Sequence, residues 1–271
     1  MTASKYSYLG GFVATSNVYA GYLSGVPVSG TQAHSFIMSF ESEEDIAKSR
    51  IIDGKDLLPM AMKYREELGW TSTKLPELYA FISFASAYPD GFSALIDSYS
   101  TLGSGVKNFL CVALALGELG HQAKGVRLDS GDLAQLSKEC RKLFIEIGAK
   151  YDRDFSKLSI VASNDINENS LIALNEVGHE MDVFGIGTNL VTCQAQPALG
   201  MVYKVVEFKG TPRIKFSEEL EKVTLPGPKS VLRVFKGGKP VFDILCTRGE
   251  VADLVGNPSN LKVINSREFD T

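Results

Sequence analysis

Histidine is scarce in this chain, with only His34, His121 and His179 in 271 residues. Cysteine is scarce too: Cys111, Cys140, Cys193 and Cys246 are far apart, and no Cys-x-x-Cys pair occurs. That spacing, with no histidine at ligand distance, excludes a zinc ribbon and offers no disulfide framework, so the thiols read as reduced. An excess of positive charge is missing as well. A net charge of −4 and a pI near 5.5 leave no basic field to neutralise a nucleic-acid backbone, which removes DNA and RNA as partners. No apolar run approaches the roughly 20 residues that span a bilayer, and no charged-then-apolar leader opens the chain. Together these absences point to a cytoplasmic protein, in the cytosol, with no membrane partner.

What is present suits a sizeable core: 44% apolar residues and a mean hydropathy of +0.01. The length exceeds one average domain but fits a single barrel. Ser7 to Phe12 is apolar almost at once and reads as buried core, the mark of a piece of something longer.

The spacing predicts a short helix over 14–23, then one or two strands through Ser39. Residues 41–75 are charged, with Glu41, Glu43, Glu44 and Asp45 followed by Lys63, Arg65, Glu66 and Glu67. This is expected to be a helical insertion with a solvated face. Pro76 then opens a helix to residue 88, ended by Pro89-Asp90-Gly91. From Ser93 the pattern becomes regular, with strands expected at 93–97, 123–128, 158–162 and 181–186 and helices between them. Short apolar strands about thirty residues apart, separated by helices, are βα units with parallel strands. Beyond Gln196-Pro197 the helices stop, and alternating segments at 202–207, 213–216 and 231–235 mark a β-rich extension. The expected division is an α/β barrel over 1–205 and the extension over 206–271.

The polar clusters fall just after strands, where parallel α/β folds gather their active sites. Asp97 follows Leu95-Ile96, although no role is assigned to it. Arg127, Asp129 and Ser130 follow the second strand, Ser163, Asn164 and Asp165 the third, and Gly185 to Asn189 the fourth. Asp165 with Glu168 reads equally as a capping box, and Ser130 with Asp132 as a helix cap. Gly185, Gly187 and Thr188 form a turn in which backbone N–H groups can approach a phosphate. Arg127 beside Asp129 suits a carboxylate or phosphate through its planar fork. His34, in Gly-Thr-Gln-Ala-His-Ser-Phe, is either a loop histidine with a satisfied hydrogen bond or a group that moves protons or accepts a bond. The set points to a phosphorylated sugar substrate. The clear strand ends carry no lysine, which argues against a Schiff-base aldolase on a similar barrel.

At these residues the chain closely resembles nicotinate phosphoribosyltransferases of the animal type. The matching segments are YSYLGGF (Tyr6 to Phe12), GTQAHSF (Gly30 to Phe36), NFLCVALALGELG (Asn108 to Gly120), GVRLDSGDL (Gly125 to Leu133), SNDINE (Ser163 to Glu168) and GIGTNLVTC (Gly185 to Cys193). KFSEELEKVTLPGPK (Lys215 to Lys229) matches the region beyond the family's barrel. The likeness covers nearly the whole chain and is weakest at 41–75 and after residue 236.

The resemblance implies the irregular α/β barrel of type II phosphoribosyltransferases, here partial, with a β-rich C-terminal extension. It implies condensation of nicotinate with phosphoribosyl pyrophosphate to nicotinate mononucleotide and pyrophosphate, coupled to ATP hydrolysis, with Mg²⁺ or Mn²⁺, in NAD salvage. His34 matches the histidine that ATP transiently phosphorylates. Thr31 and Arg127 match positions that hold nicotinate, and Asn17 stands where the nicotinamide-using relative carries a carboxylate. Thr188 and Gly187, with Gly185, match the turn for the 5-phosphate of the sugar, and Asn164 assists. Asp129, next to Ser130, binds ribose hydroxyls or lies near the metal. The resemblance also implies a homodimer with shared active sites. The chain departs from the family in length, in lacking the part that supplies a tyrosine to stack on nicotinate, and in having Val13 where many members have aspartate. The competing expectation is a catalytically incomplete fragment that binds phosphate or joins full-length subunits.

Overall fold

The computed structural model describes residues 1–192, 203–215 and 223–256. These group into two units, one drawing on 1–192, 203–204, 215 and 223 and the other on 205–214 and 224–256. The first unit begins with α1 (Thr2–Leu9), α2 (Val18–Ser24) and α3 (His34–Ile37). No residue of α1 is buried, so the expectation of core at Ser7 to Phe12 fails. The reason is helical phase: Ala3, Ser4 and Ser7 share the half-covered face, while Tyr6 and Leu9 project outward at 68% and 70% exposure. The helix expected at 14–23 starts at Val18, because the Asn17 side chain caps it by accepting from Ala20 N–H at 3.0 Å.

The strands expected up to Ser39 are also absent, apart from one bridge between Thr15 and Val28. Instead the chain runs extended to Ala33 and turns into α3. Ile37 is fully buried, and Phe36 packs edge-on against Phe40 and Phe84, so helical spacing seals this segment better than alternation.

Next come the small hairpin β1 (Ile51–Ile52) and β2 (Lys55–Asp56), then α4 (Leu57–Glu67). Residues 41–75 do present a solvated charged face, with Glu41, Glu43, Glu44, Lys63, Glu66 and Glu67 exposed, but the segment also buries a face that the charge pattern does not show. Leu57, Ala61 and Tyr64 form a buried stripe at helical spacing, and Leu58 joins it. Arg65 is buried too, its Nε donating to Thr73 Oγ1 at 2.8 Å and its Nη2 to Thr73 O at 3.0 Å. The charges conceal this stripe in the sequence.

From α5 (Leu75–Ala87) the structure follows the expected βα rhythm: β3 (Ser93–Leu95), α6 (Val106–Glu118), β4 (Gly125–Leu128), α7 (Leu133–Tyr151), β5 (Ser159–Ala162), α8 (Glu168–Val177), β6 (Val183–Phe184) and the short α9 (Thr188–Thr192). The four strands form one parallel sheet in the order β3-β4-β5-β6. A chain of fully buried rings, Phe81, Phe92, Phe109 and Phe144, ties α5, α6 and α7 to it at centroid separations of 5.3–6.2 Å. Such pairs add about 0.5–1.5 kcal/mol each beyond their buried area. Between β3 and α6 the chain makes a π-helical turn, Thr101–Gly105. It needs glycine at its end: a Cβ on Gly105 would lie 1.9 Å from the Ile96 carbonyl oxygen.

The second unit holds β7 (Glu207–Phe208) with β8 (Thr211–Pro212), β9 (Lys229–Lys236) with β10 (Lys239–Thr247), and α10 (Val251–Gly256). Gly237 and Gly238, both at positive φ, turn the long hairpin. Across it Arg233 pairs with Asp243 at 2.8 and 2.9 Å. The extension is β-rich as expected, but β10 is an added strand, and α10 corrects the expectation that helices stop beyond Gln196-Pro197, a dipeptide that itself lies outside the described residues. Among the described residues no helix is long and apolar enough to cross a membrane. Cys111, Cys140 and Cys246 are free and buried, and burial pushes the Cys111 and Cys140 thiols up to about 12; Cys193 lies outside the described residues.

Candidate active site

Parallel pairing places the C-terminal ends of β3, β4 and β5 side by side. Asp97 and Ser98 follow the first, Asp129 and Ser130 the second, Ser163 and Asn164 the third. His34, the first residue of α3, reaches into this row with a side chain 15% exposed. Its Nδ1 lies 2.9 Å from Ser98 Oγ. Its Nε2 lies 3.4 Å from Asp129 Oδ2 and 3.7 Å from Asp97 Oδ1. At those separations the contacts are ion-pair distances rather than well-formed hydrogen bonds.

Each carboxylate uses its other oxygen elsewhere. Asp97 Oδ2 accepts from Ser130 Oγ at 2.5 Å. Asp129 Oδ1 accepts from Arg127 Nη2 at 3.0 Å and from the Ser163 hydroxyl. Arg127 Nε in turn donates to Ser163 Oγ at 2.8 Å. One oxygen of each carboxylate is thereby anchored, and the other faces His34 Nε2. A lone pair on Nε2 would face two anionic oxygens, so the geometry favours the tautomer with its proton on Nε2.

Burial opposes ionisation of Asp129, but the nearby His34 ring, the Arg127 charge and the Ser163 hydroxyl outweigh it. The carboxyl is held well below the usual carboxylate range. Asp97 Oδ1 is buried and finds no hydrogen-bond donor within bonding distance; His34 Nε2 stands 3.7 Å from it.

The structure thus joins His34, Arg127, Asp129 and Ser130 in one network and adds Asp97, Ser98 and Ser163. Strand-end position was the signal for Asp97; nothing in the sequence pattern marks Ser98, which depends on where α3 lies. Ser130 does not cap α7. Asp132 does, accepting from Gln135 N–H at 2.9 Å. Nor is Asp165 the cap of α8, which belongs to Asn167 in a reciprocal pair with Ser170. Gly185 sits against the row: its N–H donates to Ala162 O at 2.7 Å, and a Cβ there would touch Ser163. Gly187 and Thr188 open α9 and are exposed. Asn164, also exposed, holds φ of +104°, and Asp165 follows at +50°. Two successive non-glycine residues at positive φ cost about 1–3 kcal/mol each, the kind of local strain that functional strand ends carry. Thr31 is half-buried, its hydroxyl donating to Gln32 O at 3.1 Å, and Asn17 serves as the α2 cap; no hydrogen bond among the described residues ties either to the His34 network.

Among the described residues no group of three or more His, Cys, Asp or Glu is placed to hold a metal by itself. The point on which Asp97 Oδ1 and Asp129 Oδ2 converge is taken by His34 Nε2, so the hard oxygens available near the site are carboxylates already engaged with the ring.

Residues 105–244 match the model of the nicotinate phosphoribosyltransferase (NAPRTase) family. The chain is 57% identical over 251 residues to nicotinate phosphoribosyltransferase of Dictyostelium discoideum, covering 90% of this chain and 43% of that protein. It is 47% identical over 268 residues to that of Caenorhabditis elegans, covering 92% and 47%. Among solved structures, human nicotinic acid phosphoribosyltransferase superposes with a TM-score of 0.64 at 41% identity, over 92% of this chain and 49% of that one. The chain spans about half the length of these relatives. The family model runs from α6 into β10 and includes the strand ends that carry Arg127, Asp129, Ser163 and Gly185, and on that match the chain belongs to the nicotinate phosphoribosyltransferase family.

Proposed function

We propose that this chain carries the phosphoribosyl-transfer centre of a nicotinate phosphoribosyltransferase, which makes nicotinate mononucleotide and pyrophosphate from nicotinate and phosphoribosyl pyrophosphate. The observation that carries this reading is the placement of His34 Nε2 between two strand-end carboxylates, one of them paired with Arg127. Coupled ATP hydrolysis, a role in NAD salvage, a homodimer and action in the cytosol belong to the same proposal.

Displacement of pyrophosphate from the anomeric carbon builds positive charge on the sugar and negative charge on the leaving group, so the protein's task is positioning and charge. Asp129 is kept ionised by its surroundings and is suited to accept from ribose hydroxyls, with Ser130 beside it. Arg127 and Thr31 hold the nicotinate carboxylate; the guanidinium offers the donors that such an anion needs. Asn17, an amide where a carboxylate would repel nicotinate, favours the acid over the amide. Gly185, Gly187, Thr188 and Asn164 receive the 5-phosphate. Asp129 would lie near Mg²⁺ held mainly by the substrate's phosphates and water, an ion that when bound neutralises the pyrophosphate oxygens.

His34 is the phosphoryl acceptor from ATP. With the Nε2 proton facing two carboxylates, the nucleophilic nitrogen is Nδ1, whose neighbour Ser98 is uncharged and can turn away. The bond forms between Nδ1 and the γ-phosphorus, and ADP leaves. The added charge of about −2 then changes the field felt by the phosphoribosyl donor. The test is direct: incubate the chain with phosphoribosyl pyrophosphate, Mg²⁺ and either nicotinate or nicotinamide, and follow mononucleotide by chromatography. Nicotinate mononucleotide is the expected product. Absence of product from folded protein, or equal use of nicotinamide, would contradict the reading.

A further inference from the structure

Gln32 is 4% exposed although Gly30 and Ala33 around it are exposed. Both ends of its amide are used: Nε2 donates to Ser93 O at 3.0 Å, and Oε1 accepts from Leu95 N–H at 3.1 Å. Those two groups lie on the edge of β3 that faces away from β4. The β4 side is served by Phe92 O, which accepts from Lys124 N–H, and by Ile96 N–H, which donates to Arg127 O. The Gln32 amide therefore stands where a peptide group of another strand would pair. His34 lies two residues beyond this clamp, and Asp97 lies two residues beyond Leu95 on the strand it grips. The helix that His34 opens is a single turn, and its cap residue, Ala33, contributes no side-chain bond.

We infer that Gln32 is a positioning residue for the reaction. It sets the register of Gly30 to Phe36 on β3 and so fixes the His34 ring against Ser98, Asp97 and Asp129. This rests on the reading of His34 as the reactive group. Burial of Ile37 and Met38 anchors the segment after His34, and the Gln32 amide anchors it before.

Gln32→Met keeps length and volume and removes both hydrogen bonds. Gln32→Glu keeps the acceptor for Leu95 N–H and loses the donor to Ser93. With only three histidines, ¹⁵N ring resonances of the full chain are resolvable at one fixed pH without metal, and His34→Ala assigns them. The expected result is that the His34 signals of Gln32→Met move or broaden while those of His121 and His179 stay. In turnover, kcat is expected to fall roughly 10–100-fold, as misplacement of a reacting group does, with KM for nicotinate little changed. Unmoved His34 signals, or movement of all three rings together, overturn the inference. Should Gln32→Met not fold, Gln32→Glu decides by the same criterion. An inactive wild type refutes the proposed reaction and leaves the resonance test standing.

Discussion

Glu77 gives the sharpest energetic prediction. It is fully buried, its Oε2 accepting from Ser104 Oγ at 2.5 Å and from Asn108 Nδ2 at 3.0 Å. Burial is the main reason its carboxyl pKa is pushed up to about 8. The negative charge of Asp97 adds to the shift, and the hydrogen bonds from Ser104 and Asn108 oppose it. In the folded state Glu77 therefore keeps its proton up to about pH 8, whereas the unfolded chain releases it near 4.5. Its contribution is full below pH 4.5 and is lost as pH rises to 8, because over that window the folded state binds more protons. At roughly 1.4 kcal/mol per unit, the loss has an upper bound of about 4–5 kcal/mol. Glu77→Gln does not titrate, and its amide oxygen can still accept from both partners. Urea unfolding at pH 5, 6.5 and 8 should show the variant close to wild type at pH 5 and more stable by several kcal/mol at pH 8. A difference that stays constant across this range would refute a buried, proton-bearing Glu77.

Other perturbations test separate parts of the structure. Phe109→Ala opens the ring chain at its centre and should cost about 3–5 kcal/mol in chemical denaturation. Gly105→Ala should cost about 1–3 kcal/mol and reduce turnover, because the Ile96 carbonyl must move and Asp97 follows it; unchanged stability would contradict the close approach. Arg127→Lys keeps the charge but loses the fork, so kcat/KM for nicotinate should fall about 10–100-fold. His121 lies 3.0 Å from Asp90 and 2.9 Å from Asp53, and these hydrogen bonds, that to Asp90 first, raise its pKa. The clip's stability is full below 6.5 and is lost as pH rises through the raised value, so Tm should decline above neutrality in wild type and less so in His121→Ala.

The βα rhythm from Ser93 to Ile186 was legible because buried parallel strands and the helices between them leave strong local patterns. The strand-end rule then located Arg127, Asp129 and Ser163 without any contact information. The first seventy residues were harder. Charges on α4 hid its buried stripe, and the aromatic residues of α1, which look like core, fall on the outer face of a helix whose inner face is small. Strand expectation at 26–39 failed because Phe36, Ile37 and Phe40 can be sealed at either spacing, and only tertiary neighbours such as Phe84 choose. Ser98 and Gln32 were illegible for a similar reason. Their partners lie about 60 residues away, and neither residue type signals such a contact.

The most direct measurement is nicotinate mononucleotide formation by wild type and His34→Ala, each with and without ATP at fixed Mg²⁺ and phosphoribosyl pyrophosphate. Stimulation of the wild type by ATP, abolished in the alanine variant while folding is retained, is the predicted result. Equal stimulation of both proteins by ATP would contradict the placement of His34 at the centre of the reaction.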